Sequence, residues 1–243
     1  MTNDDVVQRL LEAAEIPAAH VLSDDVARLQ VHENKVVGAH LVPGLEVDVD
    51  EKPDGIAARI TVKEGVHIAK PVHICFGLLP ENGMQHIVLD IRVEAGADAS
   101  VQAHCTFPNA VNVTHKMDAE ITVAAGARYS YFERHVHGQG GGVLVVPKAH
   151  VTLGDRARYK TEFELIKGRV GSIDIDYVTD CGPHSVLEMV ARIWGRGDDR
   201  IAIHETGNLN GEHSRAVLQS YIALRDHAQA EVYNTITASA QGA

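Results

Sequence analysis

The residues able to do chemistry in this chain are His, Glu and Cys set on short alternating runs. The densest run is Ser130-Tyr131-Phe132-Glu133-Arg134-His135-Val136-His137-Gly138. At period two, Tyr131, Glu133, His135 and His137 share one face of a strand, and Phe132 and Val136 share the other. Two imidazoles and a carboxylate on one face suit a divalent metal, so Glu133, His135 and His137 are the metal candidates. No fourth ligand is visible nearby, and a solvated polar face is the expected state of this run. Cys75, Cys105 and Cys181 are odd in number, far apart and without a CxxC. They form no disulfide framework and suit a reducing, cytoplasmic setting. Cys105 shares an apolar strand face with Val101, Ala103 and Phe107, which makes it a small core residue, with Gln102 and His104 outward. Cys75 reads as structural. Cys181 opens the turn Cys181-Gly182-Pro183-His184, where solvent exposure and burial are equally open. The glycines of Gln139-Gly140-Gly141-Gly142 precede neither Gly-Lys-Ser/Thr nor a helix, so they cradle no nucleotide phosphate, and the chain alone is expected to hydrolyse no ATP.

These runs belong to a repeat. Val93-Glu94-Ala95-Gly96-Ala97, Val123-Ala124-Ala125-Gly126-Ala127 and Val151-Thr152-Leu153-Gly154-Asp155 each join two alternating segments through a Gly. Gly96 lies 30 residues before Gly126, and Gly154 follows 28 later. Val62-Lys63-Glu64-Gly65-Val66 repeats the phrase upstream, and Asp226 stands in place of Gly in Ile222–Val232. Gly takes φ > 0 at a corner without steric cost, and Asp is a tolerable substitute. A period near 30 made only of strands predicts an all-β solenoid of two packed sheets, with Gly65, Gly96, Gly126 and Gly154 at equivalent corners.

Residues 3–15 read as an amphipathic helix. Asn3 is the candidate N-cap, Val6, Val7, Leu10, Leu11 and Ala14 form its apolar stripe, and Pro17 ends it. It is expected to lie over one end of the solenoid. The division is then a helical cap over 1–20 and a β-helix core over 21–243. The formal charge of −11 argues against nucleic acid and anionic lipid as partners. No apolar run approaches a membrane span, and the acidic start Met1-Thr2-Asn3-Asp4-Asp5 does not resemble a secretion signal. An extracellular β-helix enzyme acting on acidic polysaccharide fits that charge and that start poorly. A metal-dependent β-enzyme built on His135 and His137 would need a further ligand from a neighbouring turn.

The chain resembles the SufB/SufD family of iron–sulfur cluster assembly proteins, in its short form. The likeness runs through Val101–Ala110 with His115–Ile121, through His135-Val136-His137-Gly138 into Val145-Val146-Pro147, and through Glu162–Val178 and Gly195-Arg196-Gly197-Asp198-Asp199. It implies a right-handed parallel β-helix and a scaffold role in a complex with the ABC-type ATPase SufC. It also implies pairing with itself or with a sister SufB/SufD subunit through the C-terminal turns. An iron–sulfur cluster is then transient cargo of the intact complex, with Cys105 and Cys181 the candidate cluster or sulfur residues of this chain. Two departures stand out. The sequence closes at Ala240-Gln241-Gly242-Ala243, where the family runs on through more turns and helices, so the chain is expected to be C-terminally incomplete. A family cysteine that accepts sulfur falls near Thr152, and that role is not carried over. The last alternating run carries one charge and no Pro, which predicts self-association through residues 230–240.

Overall fold

The computed structural model describes residues 2–239. Two helices come first, α1 (Asn3–Ala13) and α2 (Ala18–Val21). Antiparallel hairpins follow: β1 (Arg28–His32) with β2 (Lys35–His40), then β3 (Leu45–Lys52) with β4 (Gly55–Val62). From there the chain winds through β5 (Val72–Gly77), β6 (Asn82–Val93), β7 (Asp98–Phe107), β8 (Asn112–Val123), β9 (Arg128–His137) and β10 (Val143–Leu153). It continues through β11 (Arg158–Lys167), β12 (Gly171–Cys181), β13 (Val186–Gly195), β14 (Arg200–Leu209), β15 (Arg215–Leu224) and β16 (Gln229–Ala238). Odd-numbered strands from β5 onward stack beside β1 in one sheet, and even-numbered strands stack beside β4 in the other. The result is a parallel β-solenoid of about six turns.

The register follows the repeat. β7 pairs with β9 from Asp98↔Arg128 to Phe107↔His137, so each residue sits beside the one 30 positions on. Inward positions of both sheets make one core. Val101, Ala103, Cys105 and Phe107 all enter it, as the alternation predicts. Gln102 points outward and is half-buried; His104 also points outward but is covered.

The corners correct two expectations. Gly65, Gly96 and Gly126 do occupy equivalent corners, at φ of 66°, 66° and 67°. In the next turn the left-handed residue is Arg156, at φ 56°, followed by His184 and His213. Gly154 instead matches Ala124: its N–H donates to Val123 O, as that of Ala124 donates to Val93 O. A Cβ on Gly154 would lie 2.8 Å from Ala125 N, so this glycine serves a close approach of two turns. Asp226 is left-handed at φ 62°, yet it stacks beside Gly197 on the opposite edge, where Gly197 N–H donates to its carboxylate at 3.0 Å. At Gly65, Gly96 and Gly126 an added Cβ meets nothing within 4 Å. Only backbone strain of about 1–2 kcal/mol opposes a side chain there, which is why Arg and His stand at the equivalent later corners.

The N-terminal helix also departs from expectation. Its N-cap is Thr2, not Asn3: Asp5 N–H donates to Thr2 Oγ1, and Thr2 N–H donates to the Asp5 carboxylate at 2.8 Å. The helix lies on the outer face of the β5-containing sheet, not simply over the end of the stack. Val7 and Leu11 cluster with Val21 and Cys75 there. Gly77 admits Leu10, whose Cδ2 would lie 2.3 Å from a Cβ at that position. Glu15 pairs with Lys167 of β11, so the contact extends across several turns. No helix among the described residues is long and apolar enough to cross a membrane. At the far end, every residue of β16 is exposed, including Val232 and Ile236 of one strand face.

Candidate functional site

Inside the solenoid, at the turn formed by β7, β8 and β9, the apolar column gives way to polar side chains. Cys105 enters from β7, His115 from β8, and Glu133, His135 and His137 from β9. None is more than 4% exposed. One ligand atom each from Cys105, His115, Glu133 and His135 falls within 4.8 Å of every other. His135 Nε2 lies 2.7 Å from Glu133 Oε1, and the Cys105 thiol donates to the same oxygen at 3.6 Å. His135 Nδ1 lies 3.2 Å from His137 Nε2. Phe107 packs against His115 at 5.0 Å between ring centres, and Phe163 against His135 at 4.7 Å.

This placement corrects the expected face of β9. Glu133, His135 and His137 are not solvated; Phe132 and Val136 take the outer side. Strand pairing fixes this. Tyr131 sits beside Val101, Glu133 beside Ala103, His135 beside Cys105 and His137 beside Phe107. The apolar face of β7 therefore continues into the polar face of β9. The repeat carried that signal, because Val101 and Tyr131 each stand five residues beyond their corner glycine. His115 was not foreseen as a partner. It occupies the inward column of Gln85 and Val145 and could have been found by the same alignment.

Burial sets the protonation of the cluster. It pushes His115 and His135 down to about 3 and His137 well below the usual imidazole range. It pushes the Cys105 thiol and the Glu133 carboxyl upward. The Glu133–His135 contact is therefore a hydrogen bond without a charged imidazolium. Within this cluster three buried polar atoms find no hydrogen-bond partner: Glu133 Oε2, His115 Nδ1 and His137 Nδ1. Such orphans carry a desolvation cost of about 1–3 kcal/mol each.

The other thiols lie apart. Cys181 is not in a turn: it is the last residue of β12, it is buried, and burial pushes it to about 11. Cys75 is buried on the outer face beneath α1 and rises to about 12. On that face His73 and His104 stack at 5.4 Å, with His73 Nδ1 3.1 Å from His104 Nε2. The glycines after β9 make only a strand connection. Gly142 packs on the backbone of Val111, and a Cβ there would lie 2.3 Å from Val111 O.

Comparison with known proteins finds two curated relatives. One is an iron–sulfur cluster assembly SufBD family protein of Pyrococcus horikoshii, 30% identical over 209 residues, which are 86% of this chain. The other is a protein of the same description from Methanocaldococcus jannaschii, 30% identical over 202 residues, or 83% of this chain. The chain spans 64% of the length of each. No family model matches the chain.

Proposed function

We propose that this chain belongs to the SufBD family of iron–sulfur cluster assembly proteins and is a non-catalytic scaffold subunit of a cluster assembly complex. The likeness to two such proteins over more than four fifths of the chain carries the reading. The working partner is a SufC-like ABC ATPase, which supplies the nucleotide hydrolysis for which this chain has no phosphate-cradling loop. The second partner is a further copy or a sister subunit. The iron–sulfur cluster is cargo, held transiently in the intact complex. Three free cysteines suit a cytoplasmic setting. Both candidate thiols, Cys105 and Cys181, are buried, so a sulfur-handling role for either requires the solenoid to open at that turn.

The test is co-purification. The chain, and a form extended to the length of its relatives, are each co-expressed with the ABC ATPase of the same genome. Retention of the ATPase by either form, with iron and sulfide recovered on anaerobic reconstitution, supports the scaffold role. Retention by neither overturns it. ATP or polysaccharide turnover by the purified chain alone, abolished by one substitution, overturns the non-catalytic assignment.

A further inference from the structure

We infer that the interior of the solenoid holds one divalent first-row transition ion, Zn²⁺ or Fe²⁺, on Cys105, His115, Glu133 and His135. The ion is resident and separate from any cluster the protein carries as cargo, so Cys105 is a metal ligand and Cys181 is left as the candidate sulfur-handling thiol.

Four observations converge on this. The first is the donor set: one thiolate, two imidazoles and one carboxylate are the ligands that tetrahedral Zn²⁺ and Fe²⁺ sites use. The second is distance. Metal–ligand bonds of about 2.0–2.3 Å place tetrahedral ligand atoms about 3.3–3.8 Å apart. The four atoms already lie within 4.8 Å, so a contraction of about 1 Å closes the site. The third is the unpartnered Glu133 Oε2 and His115 Nδ1, at 2% exposure each, which a bound ion and its ligand geometry give a use. The fourth is charge. One thiolate and one carboxylate cancel a 2+ ion, and the imidazoles add none. A net-neutral site is what a dry interior tolerates, whereas an unpaired ion there costs many kcal/mol.

The surroundings are those of a closed, structural site. His137 stands behind His135, with Nε2 3.2 Å from His135 Nδ1. It is the positioning residue that leaves His135 Nε2 free to face the ion. Phe107 and Phe163 wall the pocket and exclude water. No open coordination position faces solvent, so the site offers no place for substrate. A multi-iron cluster is also a poor fit, because its ligands bind different irons from outside and stand further apart than these four atoms do. Coordination releases the Cys105 thiol proton, and the ion enters while the chain folds.

The experiment uses the full chain, refolded under anaerobic conditions with Zn²⁺, Fe²⁺ or Co²⁺ and then desalted. Bound metal is counted by elemental analysis, and the Co²⁺ form is read by absorption. The expected result is about one ion per chain, with tetrahedral Co²⁺ bands and a thiolate-to-cobalt band. Competition between Zn²⁺ and Fe²⁺ ranks the two. Cys105→Ser should lose the thiolate band, and His115→Val should release the metal. Valine is the residue at the matching position of the next turn, Val145, so the packing accepts it. His137→Leu should weaken binding by about 10–100-fold while leaving the thiolate band in place. If His115→Val fails to fold, the wild-type thiolate band and its loss in Cys105→Ser decide the matter. Folded wild-type protein that retains no metal from any of the three ions overturns the inference. So does metal whose amount and spectrum survive Cys105→Ser and His115→Val.

Discussion

Glu205→Gln should change how the stability of this protein depends on pH. Glu205 points inward from β14, beside Tyr177 of β12 and Asn234 of β16, and is 1% exposed. Its Oε2 has no hydrogen-bond partner, and burial raises its pKa from 4.5 to about 7. The sign follows from linkage. Between those two values the folded chain keeps a proton that the unfolded chain has lost. The stabilising contribution of this group is whole below 4.5 and is lost as pH rises through about 7. The values differ by about 2.5, and at 1.36 kcal/mol per pH unit the full loss is about 3 kcal/mol. Glutamine has nearly the same shape and does not titrate. Urea unfolding of both proteins at several pH values from about 5 to about 8 gives the difference in stability at each, and groups common to both cancel. Relative to wild type, Glu205→Gln should gain about 2–3 kcal/mol across that range. A difference that stays constant within about 0.5 kcal/mol would refute the buried, unpaired carboxyl.

Phe107→Ala should cost about 3–5 kcal/mol in the metal-free chain, because the ring is fully buried; a loss below about 0.5 kcal/mol in chemical denaturation would place Phe107 on the surface. Gly126→Ala should cost only about 1–2 kcal/mol, the strain of a left-handed alanine in open space. Gly168→Ala should cost clearly more, because its Cβ would lie 2.0 Å from His137 O; equal melting shifts for the two would contradict the corner geometry. His150 bridges Glu120 at 3.1 Å and Asp180 at 2.9 Å across three turns, and the Asp180 hydrogen bond raises its pKa. That stabilisation is whole below 6.5 and lost as pH rises through the folded value. Since the side chain is 45% exposed, His150→Gln should cost no more than about 0.5 kcal/mol under acidic conditions and nothing under alkaline ones. A cost independent of pH, measured by thermal melts, would show that the pair does not form in solution.

Much of the fold was legible because a solenoid writes its period directly into the chain. Val101, Ala103, Cys105 and Phe107 could be sent inward from alternation alone, since a polar neighbour separates most of them. β9 defeated the same rule. Its interior face carries Glu133, His135 and His137, and local hydrophobicity assigned these to water. Pairing with β7 overrides that preference: a one-residue slip of β9 would turn its own buried Tyr129 and Tyr131 out of the core. His115 escaped notice because its partners lie 10 to 20 residues away on other strands, and only the register unites them. The place of α1 was hidden for a different reason. An apolar stripe states that a helix is covered, but not by what; Gly77, which makes room for Leu10, carries that information and resembles any other glycine in the sequence. Gly154 misled because two jobs, turning left-handed and permitting close approach, are met by the same residue type.

The column Gln85, His115, Val145, Ile173 and Ile201 runs up the inside of one sheet, each residue beside the next. Height along this axis acts as an address, set by how many units of near 30 residues come before it. A change at one address alters the lining at a single level and leaves the levels two steps away with their own neighbours. Insertion of one whole unit below β7 would therefore lift Cys105, His115, Glu133 and His135 together, still facing one another, by one strand spacing of about 4.8 Å. Insertion of a single residue in β8 just ahead of His115 would turn His115 outward and leave the other three behind. The length of what is added, more than its composition, decides whether the interior chemistry survives.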